Sequence, residues 1–598
     1  MLEPHHDGSE LYVPVRTPRL GEVVPVRLRV PGQAPDAVWL RVVENGEPRV
    51  YPATPDGSAG GEHWFTAGVP MANPVTHYRF LLVGPQYDGG QAWLNGEGLI
   101  ARDVPDAADF RLTTTEPGPE WARDAVVYQV FPDRFARSAA AGRHDRPDWA
   151  QPAAWGDEPV AEGPGTGSQF YGGDLGGIEE HLDHLERLGV DTLYLTPSFP
   201  GRSNHRYDAA TFDAIDPLLG GDEAMASLST AVHARGMRIV GDLTTNHTGV
   251  AHDWFDRART DPASTEKSFY YWTDEHPGYV GWLGHASLPK LNHNAPALTE
   301  RMDAVVTRYL TDPIGLDGWR IDVANMTGRQ GADDLTHQVS RHLRATIESV
   351  RPDGVLIAEH FHDAGADLVA GGWHGTMNYS AFTRPVWTWL AGDSGLRFME
   401  LPSPIPHRPG PAVVATMREF GAAVPWSVTT RQWNLLGSHD TPRIRTVVGS
   451  RELVEVAAGL LFTYPGTPVL FAGDEGGAVG TTGEHGRVTM PWDQIEAGGG
   501  PDWDAETFAI YRRLIALRAE NRALREGGLR WVLTEDDAIG YLRETADDRI
   551  LVLAARAPWA GATLPAGLGC AENLYGGGEA PGLRLSGDGP TFQVWRLH

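Results

Sequence analysis

The chain has 598 residues, which is enough for about three or four domains. Its composition, 41% hydrophobic and 21% charged, is typical of a soluble globular protein. The formal charge of −28, from 78 acidic and 50 basic residues, argues against nucleic acid and anionic membrane as partners.

The cysteine content and the amino-terminal sequence indicate the cellular compartment in which the protein is expected. The single cysteine, Cys570, excludes an intramolecular disulfide and is compatible with a reducing compartment. The first residues, MLEPHHDGSELYVPV, have neither a basic segment nor an apolar one, so we expect no signal peptide. No run of roughly 18 apolar residues predicts a transmembrane helix. We therefore predict a cytoplasmic protein that does not contact membranes.

Residues 1–118 have an all-β pattern. Short runs of alternating apolar and polar residues, VVPVRLRV (23–30), AVWLRVV (37–43) and HYRFLLV (77–83), are separated by Gly, Pro and Asp. This pattern predicts an N-terminal β-sandwich. The turn-rich segment 113–124 is interpreted as a linker.

Residues 119–525 alternate between apolar strands and amphipathic helices, such as 178–189 and 222–236. Repetition of strand and helix predicts a parallel sheet, and the length suits a (β/α)8 TIM barrel with insertions. The predicted strands are VVYQVF (126–131), DTLYLTP (191–197), MRIVGDL (237–243), DGWRIDV (317–323), VLIAEH (355–360), WNLLGSH (433–439) and PVLFAGDE (468–475).

Two further segments complete the predicted architecture, a multidomain α/β protein. Residues 248–300, after the third strand, are rich in Trp, His and Pro and form the longest insertion of the barrel. From residue 526 the β pattern returns, as in AIGYLRE (538–544) and RILVLAAR (549–556). We therefore predict a C-terminal β-sandwich over residues 526–598.

Four of the predicted strands end in polar clusters that carry carboxylates. An isolated Asp after a strand is usually a helix cap, but four such clusters in one barrel are harder to explain in that way. The active site of a TIM barrel lies at the carboxyl ends of its strands, where residues distant in sequence converge. The clusters are DLTTNH (242–247), GWRID (318–322), IAEH (357–360) and GSHD (437–440).

In this order, the four clusters resemble the four sequence regions of the α-amylase superfamily of glycoside hydrolases. The sandwich before the barrel and several segments are similar to cyclomaltodextrinases, neopullulanases and maltodextrin glucosidases. These segments are VYQVFPDRF (127–135), YGGDLGGIEEHL (171–182), WLGHASLPKLN (282–292), MNYSAF (377–382) and MPWD (490–493).

The resemblance implies a retaining mechanism, which needs two carboxyl groups about 5 Å apart. By this resemblance, Asp322 is the nucleophile and Glu359 the acid/base, whose pKa we expect above that of Asp322. Asp440 matches the third carboxylate, which binds sugar hydroxyls and stabilises the distorted ring. Arg320 shares a strand face with Asp322 and is expected to hold it ionised, with Asp242 as a hydrogen-bonding partner.

The resemblance also implies substrate-binding residues. His247 and His439 match histidines that hydrogen-bond hydroxyls of the sugar at the cleavage subsite. Tyr207 matches the aromatic platform beneath that sugar. Asp208 and Arg443 are expected to close the far end of the same subsite.

The residues after the nucleophile depart from the pattern of many α-amylases, which carry Lys-His there. Asn325 and Met326 occupy these positions, whereas neopullulanase-like enzymes usually have Asn-Glu. The methionine and EHFHDA (359–364) are more similar to maltodextrin glucosidases, which favours short maltodextrins over pullulan. Trp282 and Phe361 are candidates for stacking on acceptor sugars, with core packing an equal alternative.

We predict no cofactor and no bound metal, with calcium as the disfavoured alternative. Asn246 matches a calcium ligand of classical α-amylases, but a hydrogen-bonding role fits it equally well. A second family site uses the loop after the first strand together with Gly173 and Asp174. Here that loop, ARSAAAGRHDRPD (136–148), lacks a run of oxygen ligands, and calcium takes about six to eight oxygens.

The N-terminal sandwich has two interpretations. It binds polysaccharide through Trp39, Trp64 or Trp93, or it packs over the active site of a partner, as the similar domain does in the cyclomaltodextrinase group. We favour the second, which predicts a homodimer through the N-terminal domain.

The sequence therefore predicts retaining hydrolysis of α-1,4-glucosidic bonds in short linear or cyclic maltooligosaccharides, through a covalent glycosyl-enzyme on Asp322. The alternatives are a transglycosylase on the same substrates, or an amylase that degrades starch or pullulan. A non-catalytic binding protein on this scaffold is disfavoured, because all three carboxylates are present. A phosphate-binding TIM-barrel enzyme is disfavoured because Asp474 and Glu475 in FAGDEGGAVG (471–480) would repel phosphate.

Overall fold

The structure is a computed structural model with three packed units, which confirms the predicted fold class. An N-terminal β unit, a closed parallel barrel and a C-terminal β unit follow one another along the chain. The described residues are 2–139, 141, 146–392, 394–398, 401–564, 568, 570–577, 584–585 and 587–597.

The N-terminal unit consists of two facing antiparallel sheets. One has the order β1-β5-β4, and the other has the order β3-β2-β6-β7-β8 with β9 beside β6. Alternate side chains such as Val26 and Leu40 point inward and form one apolar core. The strands are β1 (Val23–Pro31), β2 (Ala37–Glu44), β3 (Glu47–Pro52), β4 (Thr54–Ala59), β5 (Glu62–Pro70), β6 (Val75–Val83), β7 (Gln91–Asn95), β8 (Gly98–Ile100) and β9 (Phe110–Thr113).

The three tryptophans that were candidates for polysaccharide binding differ in their surroundings. Trp39 is 37% exposed on the outer face of β2. Trp64 is half-buried under the guanidinium of Arg27, whose Cζ lies 4.4 Å from the ring centroid. Trp93 is half-buried against Arg79 at 4.8 Å. Trp39 is therefore the most accessible of the three.

The central unit is a closed barrel of eight parallel strands, β10-β13-β14-β15-β18-β19-β20-β21, interrupted by two small two-stranded sheets. The strands of this unit are β10 (Val127–Val130), β11 (Gln151–Pro152), β12 (Gln169–Phe170), β13 (Thr192–Leu195), β14 (Arg238–Thr244), β15 (Gly318–Asp322), β16 (Arg329–Gln330), β17 (Asp333–Asp334), β18 (Val355–His360), β19 (Gly375–Asn378), β20 (Trp433–Leu435) and β21 (Thr467–Phe471).

The sequence pattern identified seven of these eight strands and missed β19. Its four residues, Gly-Thr-Met-Asn, show neither an apolar run nor alternation, so no periodic signal marks it. The predicted helix 178–189 forms two helices that meet at His181. The ring Nδ1 of His181 hydrogen-bonds the Gly177 carbonyl at 2.8 Å, and its backbone leaves helical geometry.

The barrel helices lie outside the strands, and the insertion 248–300 follows β14. None of the helices of the described residues combines the length and apolar character of a membrane span. The helices are α1 (Glu120–Asp124), α2 (Pro132–Phe135), α3 (Leu175–Glu180), α4 (Leu182–Leu188), α5 (Gly221–Ala234), α6 (Asp253–Thr260), α7 (Pro296–Leu310), α8 (Thr336–Val350), α9 (Gly365–Val369), α10 (Arg384–Leu390), α11 (Gly410–Ala422), α12 (Trp426–Thr429), α13 (Ile444–Val448), α14 (Arg451–Thr463), α15 (Trp492–Ala497), α16 (Ala505–Glu520) and α17 (Arg522–Glu526).

The C-terminal unit has a main sheet of order β22-β23-β24-β28-β26 and a small sheet of β25 and β27. One face of the main sheet, with Tyr541 and Val552, joins the barrel core, and the other face, with Leu542 and Leu551, forms a separate apolar cluster. The strands are β22 (Gly528–Thr534), β23 (Ala538–Glu544), β24 (Arg549–Ala555), β25 (Ala562–Thr563), β26 (Cys570–Tyr575), β27 (Arg584–Leu585) and β28 (Thr591–Leu597).

The N-terminal unit packs at the amino end of the barrel, away from the carboxyl ends of the strands. Arg111 of β9 donates a hydrogen bond to the carbonyl of Ala422, the last residue of α11. A Cβ built on Gly8 would lie 3.3 Å from the Cβ of Trp426 in α12. Both helices precede β20, so these contacts fall at the entry to the strand.

The N-terminal unit also contacts the C-terminal unit through buried ion pairs. Arg29 Nη2 of β1 lies 2.5 Å from Glu544 of β23, and Arg530 Nη1 of β22 lies 2.7 Å from Glu62 of β5. Arg549 also contacts Glu544, at 2.9 Å. Because these charged groups are removed from water, each requires its partner.

Glu544→Gln tests this connection, because it removes the charge and keeps the shape. Removing Glu544 leaves the buried Arg29 with only Glu62, 3.5 Å away, so we expect a loss of on the order of 3 kcal/mol in the free energy of unfolding. Denaturant titration at neutral pH measures it. Asp183→Asn is the matched control, since its ion pair with Arg235 lies at the surface and should contribute little. Equal stability of the two variants would contradict the assignment.

The same ion pair should make the free energy of unfolding depend on pH in a defined way. Burial alone would raise the pKa of Glu544, but Arg29 and Arg549 outweigh it, so this pKa lies below its usual value. A depressed carboxylate pKa contributes stability above the unfolded value of about 4.3, and that stability is lost as the pH falls through the folded value. We expect the free energy of unfolding of Glu544→Gln to fall less steeply than that of the original protein as the pH drops below about 4.3, measured by denaturant titration across this range.

Candidate active site

The carboxyl ends of β14, β15 and β18 converge on one buried arginine. Arg320 is fully buried, and its Nη1 donates to Asp242 Oδ2 at 2.9 Å and to Asp322 Oδ1 at 3.1 Å. Its Nη2 lies 2.6 Å from Glu359 Oε1. Arg320 and Asp322 are two residues apart on β15 and therefore point to the same side. One guanidinium thus holds three carboxylates together.

Burial sets the protonation of this cluster. Burial raises the pKa of Asp322 well above its usual range, and Glu359 raises it further against the opposing charge of Arg320. Burial also raises the pKa of Glu359, which Arg320 lowers. The higher pKa expected for Glu359 stays a prediction, because each carboxyl lies beside the other and beside the same Arg320. The two carboxyls therefore titrate as one unit that retains a proton.

Tyr207, His439 and Asp440 lie beside this cluster. The hydroxyl of Tyr207 is 3.0 Å from Asp242 Oδ2 and 2.8 Å from His439 Nε2. The rings of Tyr207 and His439 are stacked, with centroids 5.5 Å apart. Asp440 Oδ2 lies 3.1 Å from His439 Nε2. The structure thus brings the predicted platform, one predicted histidine and the third carboxylate to one place.

Both predicted histidines are neutral. Burial lowers the pKa of His247 to about 3, with a smaller contribution from the charge of Lys290. Burial lowers the pKa of His439 well below its usual value, and Arg487 lowers it further. Asn246 Nδ2 lies 3.0 Å from His247 Nδ1, and His247 Nε2 lies 3.9 Å from Asp322 Oδ2. A neutral His247 therefore directs its Nε2–H toward the predicted nucleophile.

Two aromatic residues were candidates for acceptor stacking. Trp282 stacks on His247 with ring centroids 5.7 Å apart, and its buried indole N–H has no acceptor among the described residues. Phe361 stacks on Tyr379 at 4.1 Å. Trp282 therefore borders the site, whereas the ring of Phe361 is engaged with the fully buried Tyr379.

Lys290 was not singled out in the sequence, and it lies next to the site. Its Nζ contacts Asn246 Oδ1 and donates to the Met326 carbonyl at 2.6 Å, so it links β14 to the turn after β15. Burial lowers the pKa of this ammonium to about 7. The oxygen of Asn246 that resembles a calcium ligand is therefore occupied by a cationic side chain.

Asp174, from the second calcium site considered above, is engaged in hydrogen bonds within the protein. Asp174 caps α3 by accepting from Gly177 N at 2.7 Å, and it accepts from the backbone of Ser138 at 3.0 Å. Residues 140 and 142–145 of the loop lie outside the described part of the chain. Within the described part, no group of three or more His, Cys, Asp and Glu residues has the proximity of a metal site.

Two predicted substrate-binding residues make internal contacts instead of joining the cluster. Arg443 is 1% exposed, and it donates to Asp474 Oδ1 at 2.8 Å and to the Gly486 carbonyl at 2.7 Å. Asp208 accepts from Arg202 N at 2.9 Å and from Ser203 Oγ within its own loop. The resemblance placed both near the sugar, but the directions of their side chains depend on loops that sequence does not describe.

Besides Lys290, three residues of the site were missed. Arg487 donates through Nη2 to Asp440 Oδ1 at 3.2 Å and through Nε to the His439 carbonyl at 2.8 Å. Gln129 Nε2 lies 2.8 Å from His439 Nδ1, and the Tyr194 hydroxyl donates to Asp242 at 2.6 Å. Gln129 and Tyr194 could have been found from the sequence, because each places a polar group inside an otherwise apolar strand. Arg487, in a loop, has no such signal.

Substitution of the two arginines should separate activity from stability. Arg487→Met leaves Asp440 without its charge-assisted hydrogen bond, so we expect kcat/KM to fall about 30-fold with little change in melting temperature. Arg443→Met leaves Asp474 buried and unpaired, so we expect a loss of about 3–5 kcal/mol in the free energy of unfolding. Kinetics and denaturant titration measure the pair. A large activity loss in Arg443→Met at unchanged stability would restore its predicted role in the subsite.

Comparison with known proteins agrees with this geometry. A family model described as alpha amylase, catalytic domain, matches residues 129–527. A cyclomaltodextrinase of Geobacillus thermopakistaniensis is 31% identical over 449 residues, which are 73% of this chain and 70% of that protein. Neopullulanase 2 of Thermoactinomyces vulgaris is 32% identical over 497 residues, 79% of this chain and 77% of that protein.

Solved structures resemble the whole fold. A cyclomaltodextrinase structure aligns with a TM-score of 0.73 and 26% identity, covering 99% of both chains. The cyclic alpha-maltosyl-(1-->6)-maltose hydrolase of Arthrobacter globiformis aligns with a TM-score of 0.67 and 30% identity, covering 81% of this chain and 100% of that chain. With the closed barrel and the carboxylate cluster at its carboxyl end, these matches establish that the chain belongs to the α-amylase family of glycoside hydrolases.

Proposed function

We propose that this chain hydrolyses α-1,4-glucosidic bonds in short linear or cyclic maltooligosaccharides with net retention. The observation that carries the proposal is the pair of buried carboxyls, Asp322 and Glu359, on neighbouring strands and in contact with the same Arg320. Such a pair can divide the two roles of a retaining glycosidase, nucleophile and acid/base. The cyclomaltodextrinase relatives support the substrate class.

The reaction would proceed in two balanced steps. Glu359 transfers its proton to the glycosidic oxygen as the carboxylate of Asp322 forms a bond to the anomeric carbon, and the leaving sugar departs as an alcohol. Glu359 then accepts a proton from water, whose oxygen attacks the anomeric carbon and releases Asp322. Because the two carboxyls titrate together, the reactive form is the one with the proton on Glu359.

The surrounding residues would bind the sugar and support its charge. Neutral His247 and His439 offer ring N–H groups to hydroxyls without adding positive charge beside an oxocarbenium-like transition state. Asp440, held by Arg487, would accept hydrogen bonds from hydroxyls on the same ring. Tyr207 would stack beneath it. Transglycosylation uses the same intermediate, with a sugar hydroxyl in place of water.

Asp322→Asn and Glu359→Gln should each lower kcat on maltooligosaccharides by at least about 10⁴-fold, because each removes a group that acts in the transition state. Circular dichroism and the melting temperature provide the folding control. With the unsubstituted chain, proton NMR of the first product formed should show the α-anomer. Activity above about a tenth of the original in either variant, or release of the β-anomer, would exclude these roles.

A substrate panel tests specificity. We expect rapid action on maltotriose, maltohexaose, β-cyclodextrin and a smaller cyclic maltosaccharide, with slow action on soluble starch and pullulan. A covered cleft admits compact substrates and excludes polymers, which is the physical reason for this order. Fast internal cleavage of starch would indicate an open cleft and favour the starch-degrading alternative.

We further propose that the covering element is the N-terminal unit of a second copy. In its own chain this unit lies at the amino end of the barrel, on the side opposite the carboxyl ends of the strands, so it does not cover its own site. Its outer face exposes Trp39 and Val50 on the paired strands β2 and β3, at 37% and 56%. The catalytic face exposes Leu283 at 69% and Val479 at 57%. Burial of these apolar groups would favour a two-fold dimer.

Val50→Asp should weaken this dimer by placing a charge in the apolar patch. Light scattering at micromolar concentration should give the mass of two chains for the original protein and a smaller mass for the variant. The ratio of starch to β-cyclodextrin hydrolysis should rise in the variant as the cleft opens. Leu20→Asp is the matched control, because Leu20 is equally exposed but lies outside β2 and β3. A monomer in the original protein would exclude the proposal.

A further inference from the structure

The residue after Asp322 has a backbone conformation that its side chain disfavours. Val323 has φ of +45°, in the left-handed region. Asn45, Arg206 and Leu283 are the other non-glycine residues with positive φ in the described ranges, and Val323 is the only β-branched member of this set. A β-branched residue in this region is a genuine outlier, and such outliers persist where surrounding structure enforces them.

This conformation lies where β15 leaves the sheet. The register between β15 and β14 ends at Asp322, so the amide of Val323 is the first one beyond the ladder. That amide N–H donates to Glu359 Oε2 at 2.7 Å. The Val323 carbonyl accepts from Met326 N at 3.0 Å and begins the following turn. The turn therefore directs one backbone donor across to the end of β18.

Packing of the valine side chain does not account for the strain. The side chain is half-buried and does not belong to the apolar core formed by the described residues. The contact made by its backbone is with the group that we propose as the acid/base. The other oxygen of that group, Oε1, faces Arg320 Nη2 at 2.6 Å. One hydrogen bond from the Val323 amide and one ion pair with Arg320 therefore hold the two oxygens of Glu359.

We infer that Val323 is a positioning residue: its amide N–H, fixed between the end of β15 and the turn that its left-handed φ begins, orients the carboxyl group of Glu359 that exchanges the proton. The nucleophile and the acid/base are then connected by one peptide unit and one hydrogen bond. This inference rests on the proposed role of Glu359.

The N–H also affects when Glu359 is protonated. Burial raises the pKa of Glu359, Arg320 lowers it, and the Val323 amide lowers it because donation favours the ionised form. The charged groups that face Glu359 are Arg320, Asp242, Asp322 and Asp440. Removing the N–H alone should therefore raise the pKa of Glu359 and move the alkaline limb of kcat/KM to higher pH.

An amide-to-ester exchange at position 323 removes this donor and leaves every side chain in place, although it also weakens the Asp322 carbonyl as an acceptor. Incorporation of 2-hydroxyisovaleric acid replaces the N–H by oxygen and keeps the isopropyl side chain. We expect the alkaline limb for maltohexaose to move up by roughly one pH unit and kcat/KM at the optimum to fall about tenfold. An ester at position 326, which removes the N–H that donates to the Val323 carbonyl, is the matched control. It weakens the same turn, and its alkaline limb should not move.

A substrate with a good leaving group separates this role from general damage. Departure of 2,4-dinitrophenolate from its α-maltoside needs no proton, so the ester at 323 should retain its kcat/KM on this substrate, a constant that does not include the later water step. Equal losses on both substrates, or an unmoved alkaline limb, would overturn the inference about Val323. Glu359→Gln, assayed in parallel, tests the proposed function separately: an active Glu359→Gln variant would remove the acid/base role itself, whatever the ester does.

Discussion

The site depends on one cation held among three buried carboxylates. Arg320 has no exposure to solvent. Its guanidinium contacts Asp242 of β14, Asp322 of β15 and Glu359 of β18. Without it, three carboxyls in a dry environment would repel one another and take up protons. With it, one of them can stay ionised while another holds a proton, which is the condition for dividing nucleophile and acid between similar side chains.

The barrel supplies this arrangement, and the other units hold it. Residues of the first and last units pair through Arg29 and Glu544, and the C-terminal sheet shares the barrel's apolar core. Arg543 of that sheet is fully buried and donates to backbone carbonyls, including Thr463 at the end of α14. Polar contacts of this kind require a defined geometry, so they orient the units as well as joining them.

Much of the fold and of the site follows from the sequence. The clusters that contain Asp322, Glu359 and Asp440 could be located because barrel strands bring their carboxyl ends together, and the resemblance to the α-amylase family singled out these three residues. Arg443 and Asp208 could not be placed, since their directions depend on irregular loops. Strand β19 had no periodic signal, and Arg487 and Lys290 reach the site from loops. The relative pKa values of Asp322 and Glu359 depend on donors such as the Val323 amide, which residue identity does not reveal.

The ion pairs between the first and last units have a consequence for how the protein unfolds. They join segments more than 500 positions apart in sequence, at Arg29 and Glu544, around a barrel that both units contact. The chain is thus closed on itself by noncovalent contacts. The N-terminal unit is not a detachable module: removing it would take Arg29 away from Glu544 and Glu62 away from Arg530, and would expose the surface of the C-terminal sheet that it covers. Loss of one unit weakens the next, so the three should melt in a single cooperative transition.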